Sequence, residues 1–206
     1  DRRKTRQGER EADAMQRQFV QVRRCLPLPT EREIDVRQQN AETVGRVGTL
    51  LGAAGNETVT KLLANAAVLF SRHPGEWAKL RADEATIPGA VEEVLRYTSP
   101  SQYQGRTVTR DVEWHGTTVP AGARILLLTG SANRDEREFA RPDEFDVRRR
   151  PARILSFSAG EHLCLGIHLA RLEARVALEE ILARFPRYEV DFARARPIRT
   201  EFIKGW

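Results

Sequence analysis

The residue types best suited to chemistry in this sequence lie in one short segment, residues 157–166, which reads FSAGEHLCLG. Cys164 lies just before a stretch with helical periodicity, and a helix start presents unpaired N–H groups and a positive dipole end that favour a thiolate. Gly160 and Gly166 permit close backbone approach around the sulfur. A lone cysteine is more often a small buried apolar residue than a ligand. That interpretation leaves the phenylalanine, the two glycines and the histidine at these offsets unexplained, so we predict a thiolate ligand.

A second group of candidate residues lies in a predicted helix with four glycines on one face, Gly45, Gly48, Gly52 and Gly55. Each interior glycine costs a helix ~1 kcal/mol relative to alanine, so close contact on the bare face must offset that cost. Two interpretations are open: tight packing against another helix, or a flat ligand on this face. Thr58 is expected to hydrogen-bond back to the carbonyl of Ala54, loosening the helix there. Glu57 and Thr58 would then present an acid and a hydroxyl suited to a proton relay.

These residues are positioned by helices and short strands that the sequence pattern predicts. Prolines and glycines mark the helix ends, and alternating residues mark strands. We expect a long central helix at 36–71, a short helix at 76–81, a helix at 88–97, strands within 103–130, an extended loop at 131–156 and a last helix at 165–185. Apolar residues recur at helical spacing in the last helix, at Leu165, Leu169, Leu172 and Val176. The predicted fold class is mainly α with small β-sheets.

Composition excludes several classes of protein. The chain has 206 residues, of which 40% are hydrophobic and 31% charged, so it is neither intrinsically disordered nor fibrous. No apolar run approaches the ~18 residues of a membrane-spanning helix, and two cysteines cannot form a disulfide scaffold. We therefore expect a cytoplasmic protein that does not bind membranes. Residues 1–24 carry +4 of the net charge of +5, but few aromatic residues are interleaved there, so no nucleic-acid partner is predicted.

The segment 157–166 resembles the haem-binding loop of cytochromes P450, Phe-x-x-Gly-x-(His/Arg)-x-Cys-x-Gly, at every fixed position. Other segments follow in the family's order. AGNET at 54–58 resembles the oxygen-activating stretch of the central helix, EVLR at 93–96 matches the Glu-x-x-Arg pair, and NRD at 133–135 resembles a loop of bacterial members. The likeness covers roughly residues 36–206 and leaves 1–35 as a polar, basic lead. It implies the haem-binding C-terminal half of a P450 fold.

The resemblance implies a cofactor, haem b (iron protoporphyrin IX), with Cys164 as the axial thiolate ligand of the iron. Glu57 and Thr58 would be the catalytic residues that deliver protons during oxygen activation. The other cofactor-binding residues that the resemblance implies are Ala54, Gly55, Arg106, Phe157, Gly160, His162 and Gly166. Among these, the phenylalanine would pack on the thiolate side of the haem, and the arginine and the histidine would contact its propionates.

The resemblance also assigns structural and substrate-binding roles. Glu93 and Arg96 would form a structural pair that takes a third arginine from the later loop. Glu144 stands where that arginine is often found, so we expect Arg148 or a neighbour to replace it. The residues expected to line the substrate pocket are Leu50, Leu51, Gln102 and Tyr103. The polar side chains among them predict a substrate with a hydrogen-bonding group near the haem.

The function that follows from the resemblance is a haem-thiolate monooxygenase. It would insert one oxygen atom from O2 into a small organic substrate, with electrons from a ferredoxin/ferredoxin reductase-type donor. The alternative is a non-catalytic, P450-like haem-binding or partner protein, because residues 1–35 cannot replace the N-terminal half of the family's fold.

Overall fold

The computed structural model describes residues 41–199 and 203–206. The chain divides into two compact units, Asp1–Thr49 and Leu50–Trp206. The first unit is described only by residues 41–49, which are helical. The predicted basic lead at 1–35 and the predicted start of the central helix at 36–40 lie outside the described residues.

Helices make up most of the regular structure in the described part of the chain. They are α1 (Ala41–Arg72), α2 (Pro74–Ala82), α3 (Ile87–Tyr97), α4 (Thr129–Ala132) and α5 (Ile167–Arg184), with short 3₁₀ turns at Glu84–Thr86 and Gly160–His162. A proline lies in the first turn of both α2 and α3, where its fixed φ suits the helix and its missing N–H costs no bond. These bounds differ from the predicted ones mainly at the helix ends.

The described strands form three small antiparallel sheets. β1 (Gln104–Thr107) pairs with β4 (Arg124–Leu127), β2 (Val112–Trp114) pairs with β3 (Thr117–Val119), and β5 (Ile198–Arg199) pairs with β6 (Lys204–Gly205). Residues 133–159 form neither helix nor strand. The fold class, mainly α with small β-sheets, is confirmed.

The core lies where α1, α2, α3 and α5 meet the loop at 133–159. Phe70, Leu80, Ile87, Val94 and Val147 are each at most 1% exposed. Ala174, Leu178 and Leu182, at helical spacing, form the buried face of α5. The long loop therefore packs against these helices through Phe145, Val147 and Phe157, and its last residues, 157–159, begin the segment 157–166.

An apolar cavity of about 170 Å³ lies between α1, α2 and α5. Trp77 lines it, and the indole N–H of this residue is buried without a hydrogen-bond partner in the described part of the chain. Tyr188 also lines it and donates its hydroxyl proton to the carbonyl of Ala67 at 2.7 Å. Burial raises the pKa of Tyr188 to about 12, because the phenolate would lose hydration there.

No helix among the described residues is long and apolar enough to cross a membrane.

Candidate functional site

The segment 157–166 folds into a tight loop that ends at an exposed cysteine. The N–H of Cys164 donates to the carbonyl of Phe157 at 2.9 Å, and the N–H of Leu163 donates to the carbonyl of Gly160 at 3.0 Å. Gly160 has φ of +66°, a left-handed conformation that glycine adopts without steric cost. Gly166 precedes α5 as its N-cap. The helix therefore begins after the cysteine, and the exposed thiol lies on the loop.

Arg171 connects this loop to two helices. Its guanidinium carbon lies 5.0 Å from the centre of the Phe157 ring. The same guanidinium donates to both carboxylate oxygens of Glu92, at 2.6 and 2.8 Å. A bidentate arginine–carboxylate pair fixes the orientation of both groups. Arg171 therefore holds the start of the loop between α3 and α5, and its charge is already paired.

The Glu93–Arg96 pair is completely buried, with both side chains 0% exposed. Arg96 donates to both carboxylate oxygens of Glu93, at 2.7 and 2.9 Å. Its remaining three N–H groups reach the carbonyls of Asn133, Pro142 and Glu144. All five guanidinium donors are thus satisfied, so α3 binds the long loop at three points.

The third arginine of this cluster is Arg149, so the neighbour of Arg148, and not Arg148 itself, contacts Glu93. Nε of Arg149 lies 3.2 Å from both carboxylate oxygens of Glu93. Arg148 is exposed, and its backbone N–H donates to the carboxylate of Asp146 at 3.0 Å. The turn that begins at Asp146 continues with a bond from the N–H of Arg149 to the carbonyl of Asp146. This turn, which the sequence pattern did not reveal, decides which arginine reaches the buried carboxylate.

Glu57 and Thr58 lie on α1 in the second unit. Glu57 is exposed, and the hydroxyl of Thr58 donates back to the carbonyl of Ala54 at 2.8 Å. Thr60 makes the same bond to Asn56, and the helix continues unbroken from Ala41 to Arg72. The predicted back-bond is therefore present, while the expected loosening of the helix is not.

The glycine face of α1 is open. A Cβ atom built on Gly52 or Gly55 would meet no described atom within 4 Å. Tight packing of another helix against these two glycines is therefore not found within the described residues. An open face leaves room for a flat ligand, and packing against a partner outside the described residues also stays open.

Two candidate anion-binding side chains lie on separate elements. Arg106 in β1 donates to the carbonyl of Gly105 at 2.8 Å and to the side-chain oxygen of Gln104 at 3.2 Å. Neither acceptor carries a charge, and no carboxylate pairs with this arginine within the described residues. His162 is exposed in the 3₁₀ turn. An unpaired guanidinium and an exposed imidazole can bind a carboxylate group.

The predicted substrate residues have mixed surroundings. Leu50 and Leu51 are exposed on α1. The side-chain amide of Gln102 donates to the carbonyl of Ser99, and its backbone carbonyl accepts from the N–H of Gly130 at 2.9 Å. Tyr103 is partly exposed. Part of the hydrogen-bonding capacity of Gln102 is therefore used within the protein, and its amide oxygen lies 2.8 Å from where a Cβ on Gly130 would be.

The structure joins some predicted site residues directly and leaves others apart. Phe157 and Cys164 share a hydrogen bond, and Glu93 and Arg96 share two. No hydrogen bond or ion pair connects Glu57 or Thr58 to the cysteine loop within the part of the chain that the structure describes. The sequence did not single out Arg149 among the neighbours of Arg148, because its role depends on a long-range contact with Glu93.

Comparisons with known proteins match this arrangement to one family. The family model "Cytochrome P450" matches residues 86–201. The curated "Putative cytochrome P450 123" of Mycobacterium tuberculosis is 48% identical over 158 residues, which cover 76% of this chain and 39% of the relative. "Cytochrome P450 130" of the same species is 54% identical over 142 residues, covering 68% of this chain and 35% of the relative.

A solved structure agrees with the sequence relatives. CYP109E1 from Bacillus megaterium, in complex with corticosterone, matches with a TM-score of 0.76 and 35% identity, over 80% of this chain and 45% of that chain. The chain therefore spans about two fifths of the length of the curated relatives it matches.

Proposed function

Because the chain belongs to the cytochrome P450 family, we propose that it is the haem-binding part of a monooxygenase. This enzyme inserts one oxygen atom from O2 into a small organic substrate. The observation that carries the proposal is the exposed Cys164, which ends a glycine-bearing loop tied back to the carbonyl of Phe157. A thiolate at such a position is a known axial ligand for haem iron in this class of enzyme.

The residues present fit haem b. A planar, largely apolar ring system needs an open surface, and a Cβ built on Gly52, Gly55, Gly160 or Gly166 would meet no described atom within 4 Å. The haem propionates need cations, and Arg106 carries no carboxylate partner within the described residues. Haem iron needs an axial ligand from the protein, for which a thiolate is suited, and Cys164 is exposed. Each group that haem requires therefore has a counterpart in this chain.

Bound haem supplies the binding and reductive activation of O2 at its iron. The residues of this chain would hold the haem and move the protons. Cys164 holds the iron and donates electron density, Phe157 packs beside the sulfur, and Arg106 with His162 binds the propionates. Glu57 and Thr58 hold and move protons at their carboxylate and hydroxyl oxygens. Gly160 and Gly166 let the loop backbone approach the sulfur, and Ala54 with Gly55 forms the helix surface that faces the ring.

Electrons must reach the haem from a carrier, since no other redox group is expected in this chain. We propose a ferredoxin/ferredoxin reductase-type donor in the cytoplasm. Arg153 is exposed and available to meet an acidic carrier, whereas Arg171 is held by Glu92.

For the substrate, we propose a small organic molecule with apolar contacts to Leu50 and Leu51 and a hydrogen bond near Gln102 or Tyr103. The corticosterone complex of CYP109E1 is an example of an apolar ligand with polar groups in a relative.

The two cysteines of the chain allow a direct test. The protein purified with haem is reduced and exposed to carbon monoxide, and its Soret band is compared with that of the Cys164→Ser and Cys25→Ser variants. We expect the red-shifted band of thiolate-bound haem in the wild type and in Cys25→Ser, and its loss in Cys164→Ser. A band that persists in Cys164→Ser would contradict the proposal. Substrate oxidation with a ferredoxin-type donor then separates the enzyme from the alternative, a non-catalytic haem-binding protein.

A further inference from the structure

Asn133 is a fully buried polar residue, 0% exposed, directly after α4. We propose that Asn133 is a positioning residue that fixes the cysteine loop to the buried Glu93–Arg96 pair. The inference rests on the proposed function, because the consequence of this positioning is the placement of the Cys164 ligand. The contacts that carry it are all within the second unit.

The backbone of Asn133 is attached to α3 and α4. Its carbonyl accepts a hydrogen bond from Nη1 of Arg96 at 2.9 Å. Its N–H donates to the carbonyl of Thr129 at 3.1 Å. Because Arg96 is held by the carboxylate of Glu93, the position of Asn133 is set by the buried ion pair.

The side chain of Asn133 reaches across to the residues that immediately precede the cysteine loop. Its Oδ1 accepts from the backbone N–H of Leu155 at 2.7 Å, and its Nδ2 donates to the hydroxyl of Ser156 at 2.8 Å. The hydroxyl of Ser156 donates in turn to the carbonyl of Leu95 in α3, also at 2.8 Å. One buried amide therefore binds two consecutive residues and, through the second, the helix of the ion pair.

The cysteine loop starts at the next residue. The carbonyl of Phe157 accepts the N–H of Cys164, which closes the loop. Residues 133–159 form neither helix nor strand, and their backbone bonds are local turns, such as the bond from the N–H of Ser158 to the carbonyl of Leu155 at 3.0 Å. Side-chain bonds therefore help to set where this backbone lies relative to α3. Loss of the Asn133 amide would free the N–H of Leu155 and let the start of the cysteine loop shift relative to α3 and α5.

The amide of Asn133 supplies the required donor and acceptor together. Asn133→Ala removes both groups, whereas Ser156→Ala removes the acceptor of Nδ2 and the bond to Leu95 but keeps the bond from the N–H of Leu155 to Oδ1. Asn65 offers a matched control, because it is also buried, at 4% exposure, and its Nδ2 bonds two carbonyls, those of Thr98 and Lys204. These bonds join α1 to other segments and do not involve the cysteine loop.

The test compares Asn133→Ala, Ser156→Ala and Asn65→Ala in the protein purified with haem. Two quantities are measured: the hydrogen-exchange rates of the Leu155 and Cys164 amides, and the share of the reduced, CO-bound protein that shows the thiolate band. We expect Asn133→Ala to speed Leu155 exchange about tenfold or more, as for one lost buried hydrogen bond, and to shift part of the CO complex away from the thiolate band. Ser156→Ala shows a smaller change of the same kind, and Asn65→Ala shows neither change.

Each outcome decides something. Unchanged Leu155 exchange and an unchanged CO spectrum in Asn133→Ala overturn the inference, as does an equal effect of Asn65→Ala. If Asn133→Ala does not fold, the same two measurements are made on Ser156→Ala. An unchanged exchange rate of Leu155 and an unchanged CO spectrum in Ser156→Ala then overturn the inference. A wild type without a thiolate band defeats the proposed function, while the exchange rate of Leu155 still tests the positioning role by itself.

Discussion

Arg148 and Arg149 are adjacent in sequence but differ in what they bind. Arg149 is 13% exposed in its side chain and contacts the buried carboxylate of Glu93. It also donates to the carbonyls of Ala140, Arg141 and Glu144. For Arg148, the contact that fixes its place is made by the backbone N–H. The two residues therefore form a natural pair of test and control.

We predict that Arg149→Gln lowers the free energy of unfolding by about 2 kcal/mol, because Glu93 loses a cationic partner inside the protein and three carbonyls lose a donor. Arg148→Gln should change it by less than about 0.5 kcal/mol, as an exposed side chain usually does. Urea unfolding at neutral pH, followed by circular dichroism, measures both. Equal effects of the two substitutions would mean that Arg149 does not share the buried charge.

The sequence predicts the residues of this cluster only where spacing along a helix is enough. Glu93 and Arg96 are three residues apart on one helix, so their side chains must meet. Arg149 lies in a loop without periodicity, and the Asp146 turn sets which side chain points inward. The same holds for Asn133, whose partners at 155 and 156 are more than twenty residues away. Long-range partners in irregular segments are beyond what residue patterns can specify.

At the scale of single elements, two alanine substitutions can test whether a flat ligand lies on the open glycine face of α1. A Cβ on Gly55 or on Gly75 of α2 meets no described atom within 4 Å. We predict that either Gly55→Ala or Gly75→Ala raises the free energy of unfolding of the haem-free chain by about 0.5–1 kcal/mol, because alanine favours the helix. Only Gly55→Ala should weaken haem binding, since only that glycine lies on the proposed haem face. Thermal unfolding and haem titration measure the two effects.

Equal haem affinity in Gly55→Ala and the wild type would show that no flat ligand lies on this face. A loss of stability in Gly55→Ala would instead favour the packing interpretation, with a partner among residues outside the described part of the chain. Gly75→Ala separates these results from a general effect of alanine in a helix, because it changes the same residue type on a different element.

The end of α1 at Arg72, shortly before Pro74, lies one residue beyond the predicted end, and Pro88 lies in the first turn of α3 as expected. The start of α5 was less accurate, since Gly166 caps the helix after the cysteine. Periodicity also identified an apolar stripe on α5 without showing whether it is buried. The buried face consists of Ala174, Leu178 and Leu182, while the stripe at Leu169, Leu172 and Val176 is exposed. Both faces are apolar, and a pattern of spacing cannot tell which one meets a partner.

At the scale of the whole molecule, the described residues leave several large apolar side chains exposed. Large apolar side chains are exposed on α1 at Leu50 and Leu51 and on α5 at Leu169 and Leu172. The curated relatives carry more than half of their length outside the region that this chain matches. The net charge of +5 does little to oppose association of these surfaces, since residues 1–24 carry +4 of it.

We predict that the chain alone associates non-specifically as its concentration rises, because contiguous apolar patches promote association in water. Leu169, Leu172 and Val176 share one face of α5 by their spacing, so Leu169→Gln should reduce association while the melting temperature stays nearly constant. Leu178→Gln, on the buried face of the same helix, should instead lower the free energy of unfolding by roughly 2–5 kcal/mol. Sedimentation velocity at several concentrations and thermal unfolding separate the two effects. A wild-type chain that remains monomeric throughout would show that the exposed stripe of α5 is covered within the chain itself.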